Sequence, residues 1–397
     1  MRAVTHPSHR DSADHASDMD RVTNFLRRDA PDHPVVFLRP DVLRRQAERF
    51  LSGFPGLVSY AVKANPGEAV LRQLVRAGIT SFDVASVQEM VQVRQIAPNA
   101  RLHYHNPVRS NCEIAQARKL GVASWSVDRL SELDKLKDLP EGTEIAVRLS
   151  LPRAGGAYDF GSKFGASPDM AQTLLAEVAS RGLRPAMTFH PGTQCKDASA
   201  WGDYISAVAE VSRRAGVTLH ALNVGGGFPS LVADDDDTLD HIFTTIDTAI
   251  TDAFGVNRPA LWCEPGRAMV ASSMWLALRV KARNDHALTL NDGLYGALGE
   301  WRDMPVPTRL HGISSDGHRR TGEIEPYTIF GPTCDSLDRL PAAWNLPGDL
   351  CEDDYILVEG TGAYTQALTT RFNGYGLERE IDLATCNSSS GQDRMAG

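Results

Sequence analysis

Three short stretches hold residue types that could do chemistry together. Lys63 closes the apolar run SYAV and is followed by Asn65-Pro66, a sharp exit from an extended segment. A lysine there is either solvated or, with its ammonium pKa lowered by burial, a nucleophile that forms a Schiff base with a carbonyl group. Gly225-Gly226-Gly227 follows TLHALNV. That triplet is either a flexible turn or a stretch whose bare backbone N–H groups can approach a phosphate closely. No Gly-Lys-Ser/Thr follows, so it is not a Walker loop. Glu264-Pro265-Gly266-Arg267 sets an acid three residues before an arginine. The two form a surface ion pair, or they divide the work: the carboxylate on a ring nitrogen, the guanidinium on a phosphate. His190 in FHPG reads equally as a core histidine or as an imidazole stacked on a planar ring. Cys334-Asp335 lies in GPTCDSLD, a loop-forming context. A lone cysteine is usually a small buried hydrophobe; this context favours exposure, and Asp335 and Asp338 would suit a cationic substrate.

These residues need elements to position them. From Pro34 onward, short β-rich runs alternate with amphipathic helical patterns. Eight candidate strands follow one another: residues 57–62, 82–86, 101–106, 123–127, 144–150, 185–190, 218–224 and 261–264. Between two of them Trp201, Tyr204, Ile205, Val208 and Val211 form one apolar helical stripe. Parallel strands need helical crossovers, and eight such units predict an α/β fold with a closed TIM-like (β/α)8 barrel over 26–267. Catalytic groups of such barrels sit at the carboxyl ends of the strands. Those ends hold Lys63, Asp83, His105, Arg148, His190, the glycine triplet, Glu264 and Arg267. After Arg267 the helical periodicity gives way to strand-like runs, which predicts a second, mainly antiparallel β domain over 268–397. The early run 34–40 is a candidate to join it. Residues 1–25 read as a flexible tail, with His6, His9 and His15 solvated.

The 397 residues are 42% hydrophobic and 23% charged, with a net charge of −9. Two globular domains fit that length, and the acidic balance argues against a nucleic-acid surface. Six cysteines are scattered with no CxxC or Cys/His metal spacing, so neither a disulfide framework nor a zinc site is expected. The polar start lacks a signal peptide's apolar core, and no run approaches the ~20 apolar residues of a membrane span. A cytoplasmic protein with a small-molecule partner is expected, and no metal.

A Schiff-base lysine, a glycine/arginine phosphate clasp and a carboxylate for a ring nitrogen converge on pyridoxal 5'-phosphate. The motifs YAVKANP, FDVAS with Glu89, FHPGTQ, VGGGFP, CEPGR, NDGLYG, GPTCDSLD and GAYT run in order from about Pro34 to Asn373. In them the chain resembles the fold-type III pyridoxal-phosphate decarboxylases of basic amino acids, and within these the ornithine decarboxylases. The resemblance implies an alanine-racemase-like barrel plus β domain, acting as a homodimer with active sites shared between subunits. It also implies roles. Lys63 would carry the cofactor, Glu264 would hold the ring nitrogen, and His190 would stack on the ring. Gly225, Gly226, Gly227, Arg267 and Tyr364 would bind the phosphate, with Thr193 near the ring. Asp83, Glu89 and Arg148 would orient lysine and cofactor. Cys334 would come from the partner subunit as the acid that reprotonates Cα, beside Asp335 for the distal ammonium. Tyr295 and Asp303 complete the implied substrate set.

The resemblance thus implies decarboxylation of a basic amino acid, L-ornithine to putrescine first. Lysine, 2,4-diaminobutyrate or a D-diamino acid in a specialised pathway is the alternative, and a non-catalytic regulator the remote one. Asp303 aligns only with a one-residue gap, Pro191 stands where a valine is usual, and Asn223 replaces a common aspartate. These departures bear on the substrate rather than on the chemistry.

Overall fold

Short apolar runs become strands here because they are buried on both faces, as parallel strands between helices must be. The computed structural model describes residues 8–151, 163–230 and 236–386. It comprises two units, one of residues 43–270 and one of residues 1–42 with 271–397.

In the first unit all the strands are parallel and follow the chain order around one sheet. They are Leu57–Val58, Tyr60–Ala61, Ser81–Val84, Arg101–Tyr104, Val122–Val127, Glu144–Arg148, Arg184–Thr188, Ala221–Asn223 and Ala260–Cys263. The first two are one segment interrupted at Ser59. Leu57–Val58 pairs with the last strand and Tyr60–Ala61 with Ser81–Val84, so this segment closes the ring. The expected (β/α)8 barrel is thus present. The predicted apolar stripe lies on the helix Ser199–Ala215, with Trp201, Tyr204, Ile205, Val208 and Val211 all buried. Inside, Ala146, Ala186 and Ala221 leave room for Trp262.

The second unit is a mainly antiparallel sheet of eight strands. Its spine, Met274–Asn284, pairs antiparallel with Val35–Leu38, with Ala287–Leu290 and with Tyr355–Glu359. The early strand is therefore a member of this sheet. Trp344–Pro347 and Arg379–Asp382 are further strands that the sequence reading did not mark. Arg379–Asp382 and Ile324–Phe330 each make a parallel pairing.

The expectation of a flexible tail over 1–25 is corrected. Residues Ser8–Asp29 form a helix, while residues 1–7, His6 among them, lie outside the described residues. Met19, Val22, Phe25 and Leu26 fall on one face of this helix, and they are buried with Phe37, Trp275, Ile313 and Leu357. Many Ser, Asp and His residues on the other face hide the stripe from a composition reading. His15 is not simply solvated either, because its Nε2 lies 2.8 Å from Glu359 Oε1 and its ring meets Trp275 edge-on. All six cysteines are free thiols. Among the described residues no helix is long and apolar enough to cross a membrane.

Candidate active site

The carboxyl ends of the barrel strands bring the polar groups of the first unit together. A 3-10 turn, Val62–Ala64, takes over where Tyr60–Ala61 ends and leaves Lys63 exposed. Its charge is felt by Asp83, Glu89, His190 and Glu264. Asp83 lies within Ser81–Val84 and is buried, with no hydrogen-bond partner for Oδ1 among the described residues. Burial, and then Glu264 nearby, push its pKa up. Glu89 sits in the first turn of the helix Val87–Ile96, where its Oε2 accepts the Ala85 N–H at 2.7 Å. Arg148 ends the strand Glu144–Arg148. Burial lowers its pKa, and Glu264, Asp83 and Asp128 oppose that shift.

The glycine triplet is tied to both neighbouring strand ends. Gly225 and Gly227 have φ of +70° and +83°, the left-handed region that glycine enters without cost. A Cβ on Gly225 would lie 2.0 Å from Phe189 O, one on Gly226 2.7 Å from Glu264 O, and one on Gly227 2.2 Å from Gly192 O. Side chains are therefore excluded, and the N–H groups of Gly226 and Gly227 make no hydrogen bond among the described residues. The His190 ring lies beside this loop, its Nε2 only 3.4 Å from where a Gly226 Cβ would be. Burial, followed by Lys63 and Arg148, pushes His190 down to about 3, so its imidazole is neutral. Thr193 follows in the same half-buried loop, and Arg267 opens the short helix Arg267–Val270 directly after Glu264-Pro265-Gly266.

Glu264 is the centre of the network. Its Oε1 accepts hydrogen bonds from Asn223 Nδ2 and from His105 Nδ1, and Oε2 makes none among the described residues. Burial alone would raise this carboxyl, but His105, Lys63 and Asn223 hold it well below its ordinary value. Asp83, His105 and Glu264 present ligand-type atoms within 4.8 Å of one another. With Oε1 already bonded twice, they read as an acid–imidazole cluster.

A separate group lies in the β unit. Asp335 Oδ2 accepts the Tyr295 hydroxyl at 2.5 Å and Oδ1 accepts the Leu337 N–H at 2.9 Å. The Tyr295 bond, then Leu337, lower the Asp335 pKa. Cys334 is exposed, with Sγ 3.4 Å from Asn373 Oδ1. Tyr364 caps a short helix in the left-handed region, φ 59°, an uncommon conformation for a bulky side chain. Asp303 does not join this group: it ends a 3-10 turn and pairs with the adjacent Arg302 at 3.4 Å.

Residues 41–271 match the family described as pyridoxal-dependent decarboxylase, pyridoxal binding domain. That range spans the whole barrel. The chain belongs to the pyridoxal-dependent decarboxylases. It is 32% identical over 342 residues to decarboxylase flvG of Aspergillus flavus, covering 81% of this chain and 78% of that protein. It is 30% identical over 338 residues to a lysine/ornithine decarboxylase of Selenomonas ruminantium, covering 82% of each. Among solved structures, the arginine decarboxylase of Paramecium bursaria Chlorella virus bound to agmatine superposes with a TM-score of 0.82 at 25% identity, covering 92% of this chain and 99% of that one.

The decarboxylase's barrel residues fit pyridoxal phosphate. A loop closed to any Cβ with two unbonded amides suits a phosphate, Glu264 Oε2 suits a ring nitrogen, and a neutral His190 suits an aromatic face. The sequence reading placed His105 at a strand end but gave it no task, and it treated Asn223 only as a departure. Both bind Glu264. An asparagine where an aspartate is common was the available clue, because an amide can donate to a carboxylate and an ionised aspartate cannot.

Proposed function

We propose that this enzyme removes the α-carboxylate of L-ornithine, giving putrescine and carbon dioxide. The observation that carries the substrate assignment is Asp335, a half-buried anion fixed by the Tyr295 hydroxyl and the Leu337 amide. A fixed carboxylate of this kind matches a terminal ammonium. The relatives named lysine/ornithine decarboxylase and arginine decarboxylase are likewise enzymes of basic amino acids. One methylene of chain length is worth only ~1–3 kcal/mol in a pocket. The preference for ornithine over lysine therefore rests on motif similarity across NDGLYG and GPTCDSLD.

Bound pyridoxal phosphate supplies an electron sink for the pair left when the carboxylate departs. In our reading Lys63 is the cofactor's covalent anchor, and Asp83, Glu89 and Arg148 keep its amine oriented. Glu264 takes the ring N–H, and His190, neutral, lies on the ring. Gly225, Gly226, Gly227, Arg267 and Tyr364 hold the phosphate, with Thr193 beside the ring. Asp335 takes the distal ammonium, and the Cys334 thiol delivers the proton to Cα. Tyr295 serves by holding Asp335. Asp303, turned to Arg302, is left out of the substrate set.

We further propose a homodimer in which Cys334 and Asp335 complete the partner's site. Leu337, 74% exposed beside Asp335, with Leu368 and Phe372 also exposed, supports a covered surface there. Free thiols throughout fit a reducing compartment such as the cytoplasm.

The test is a product assay with L-ornithine, D-ornithine, L-lysine, 2,4-diaminobutyrate, arginine and meso-diaminopimelate, following carbon dioxide and amine. Putrescine from L-ornithine should dominate. A clear preference for another of these substrates, or turnover of none by cofactor-loaded enzyme, refutes the substrate assignment. Mixing Lys63→Ala with Cys334→Ala protein should restore part of the activity. No restoration, despite exchange of subunits, refutes the shared site.

A further inference from the structure

Inside the barrel, where alanines and other apolar side chains would fill space, the strand Arg101–Tyr104 and the residue after it place two buried histidines. His103 is pushed down to about 3, by burial first and by His105 next, and it bonds Ser124 Oγ at 2.7 Å. It behaves as a neutral core histidine. His105 differs. Its Nδ1 bonds Glu264 Oε1, its Nε2 lies 2.9 Å from Ser124 Oγ, and its ring stacks parallel to Trp262, 6.5 Å away. Asn223 reaches the same Glu264 oxygen, while its Oδ1 accepts the Gly225 N–H at 2.9 Å.

We propose that His105 is a positioning residue for Glu264. With Asn223 it ties down Oε1, reserves Oε2 for the cofactor's ring nitrogen, and sets how much negative charge that nitrogen meets. This inference rests on the cofactor role of Glu264 given above, not on the choice of substrate.

The physical argument has two parts. A carboxylate at the end of three rotatable bonds keeps its orientation only if something holds it, and two donors on one oxygen restrain both its position and its rotation. A donor that is itself charged also shares its proton's field with the acceptor. Burial by itself lowers His105, but the Glu264 carboxylate overrides it, with Asp83 and Glu144 acting in the same direction, so the imidazolium is favoured. The groups facing His105 are then Glu264, Asp83 and Glu144 from three other strands and His103 from its own. Ser124 and Asn223 are the uncharged contacts. An imidazolium on Oε1 makes Glu264 a weaker base toward the ring nitrogen than a lone carboxylate would be.

Isosteric variants separate the two ends of the ring. The amide nitrogen of asparagine falls near the place of Nδ1, and that of glutamine near Nε2. His105→Asn therefore keeps a donor for Glu264 without the charge, whereas His105→Gln keeps only the Ser124 side. The measurements are the dissociation constant for pyridoxal phosphate in the resting protein and the pH titration of the 15N signal of cofactor labelled at the ring nitrogen.

Losing a charge-assisted hydrogen bond costs about tenfold or more in an equilibrium constant. His105→Ala and His105→Gln should weaken cofactor binding by about that factor. His105→Asn should bind within a few-fold of wild type, and its ring-nitrogen titration should move to higher pH because the cation is gone. The proposal is overturned if all three variants bind and titrate as wild type and differ only in thermal midpoint, or if glutamine rescues binding as well as asparagine does. L-Ornithine turnover is read in the same series. A wild type that binds cofactor but turns over no basic amino acid refutes the substrate assignment and leaves the His105 comparison intact.

Discussion

Replacing Gly225 with alanine separates the clash in the glycine loop from the strain of its backbone. Gly225 sits at φ +70°, and a Cβ would stand 2.0 Å from Phe189 O. Ordinary contacts of that kind begin near 3.4 Å, so the two backbone segments must part by roughly 1 Å or more, a distance that by itself can cost about 100-fold in rate at a reacting centre. Gly216 supplies the control. It has nearly the same φ, +65°, and nothing within 4 Å of a Cβ. Alanine there carries only the left-handed backbone penalty of about 1–2 kcal/mol. Gly216→Ala should therefore lower the thermal midpoint slightly and leave cofactor affinity unchanged. Gly225→Ala should lose cofactor affinity by about tenfold or more and kcat/KM by about 100-fold. The assay is equilibrium binding of pyridoxal phosphate followed by absorbance, paired with thermal unfolding of the cofactor-free proteins. If Gly225→Ala binds cofactor as tightly as wild type, the triplet is a turn and not a phosphate cradle.

Three other outcomes are expected. Cys334→Ala should shift the product from amine toward the corresponding aldehyde by misplaced protonation; an unchanged product ratio and rate would remove Cys334 from the reaction. Glu359 is held well below its ordinary pKa, against the effect of burial, by His15 and His311. A depressed carboxyl contributes stability above its unfolded pKa and loses it as pH falls toward the folded value. Wild type should thus lose stability as pH drops below about 4.5, whereas Glu359→Gln should start about 2 kcal/mol lower at pH 7 and show a shallower acid limb. Denaturant unfolding at several pH values checks this, and parallel acid limbs would refute it. Leu26→Ala, at a fully buried position of the first helix, should cost about 2–5 kcal/mol; a change under 0.5 kcal/mol would mean that this helix does not pack as described.

The barrel was legible because its signals are local. Apolar runs that alternate with helical patterns need no knowledge of distant residues, and the candidate reactive groups sit where those runs stop. Lys63, Asp83, Arg148, His190 and Glu264 could be named as a set for that reason. The missed features depend on pairings far apart in sequence. Arg379–Asp382 is a strand only because Val35–Leu38 lies beside it, and its own four residues carry no alternation. Ser8–Asp29 is long and polar enough to pass for a tail, and its four apolar residues matter only once Trp275 and Leu357 are placed against them. His105 was visible as a residue, but its bond to Glu264, 159 positions away, was not. Asp303 owes its implied role to motif similarity alone, and its own turn brings it next to Arg302.

The β unit is split by the barrel, and this has a consequence for how the chain is made. Val35–Leu38 must pair with Met274–Asn284 and Arg379–Asp382, so on the ribosome it waits for most of the chain to be synthesised. At roughly 5–20 residues per second the wait for the later partner lasts about 15–70 s. Throughout it, the apolar face of Ser8–Asp29 has no sheet to cover it, while the barrel, continuous in sequence, can already close. A helix made before the barrel is thus buried only after it, and nascent chains should be open to chaperones and to premature association at this segment.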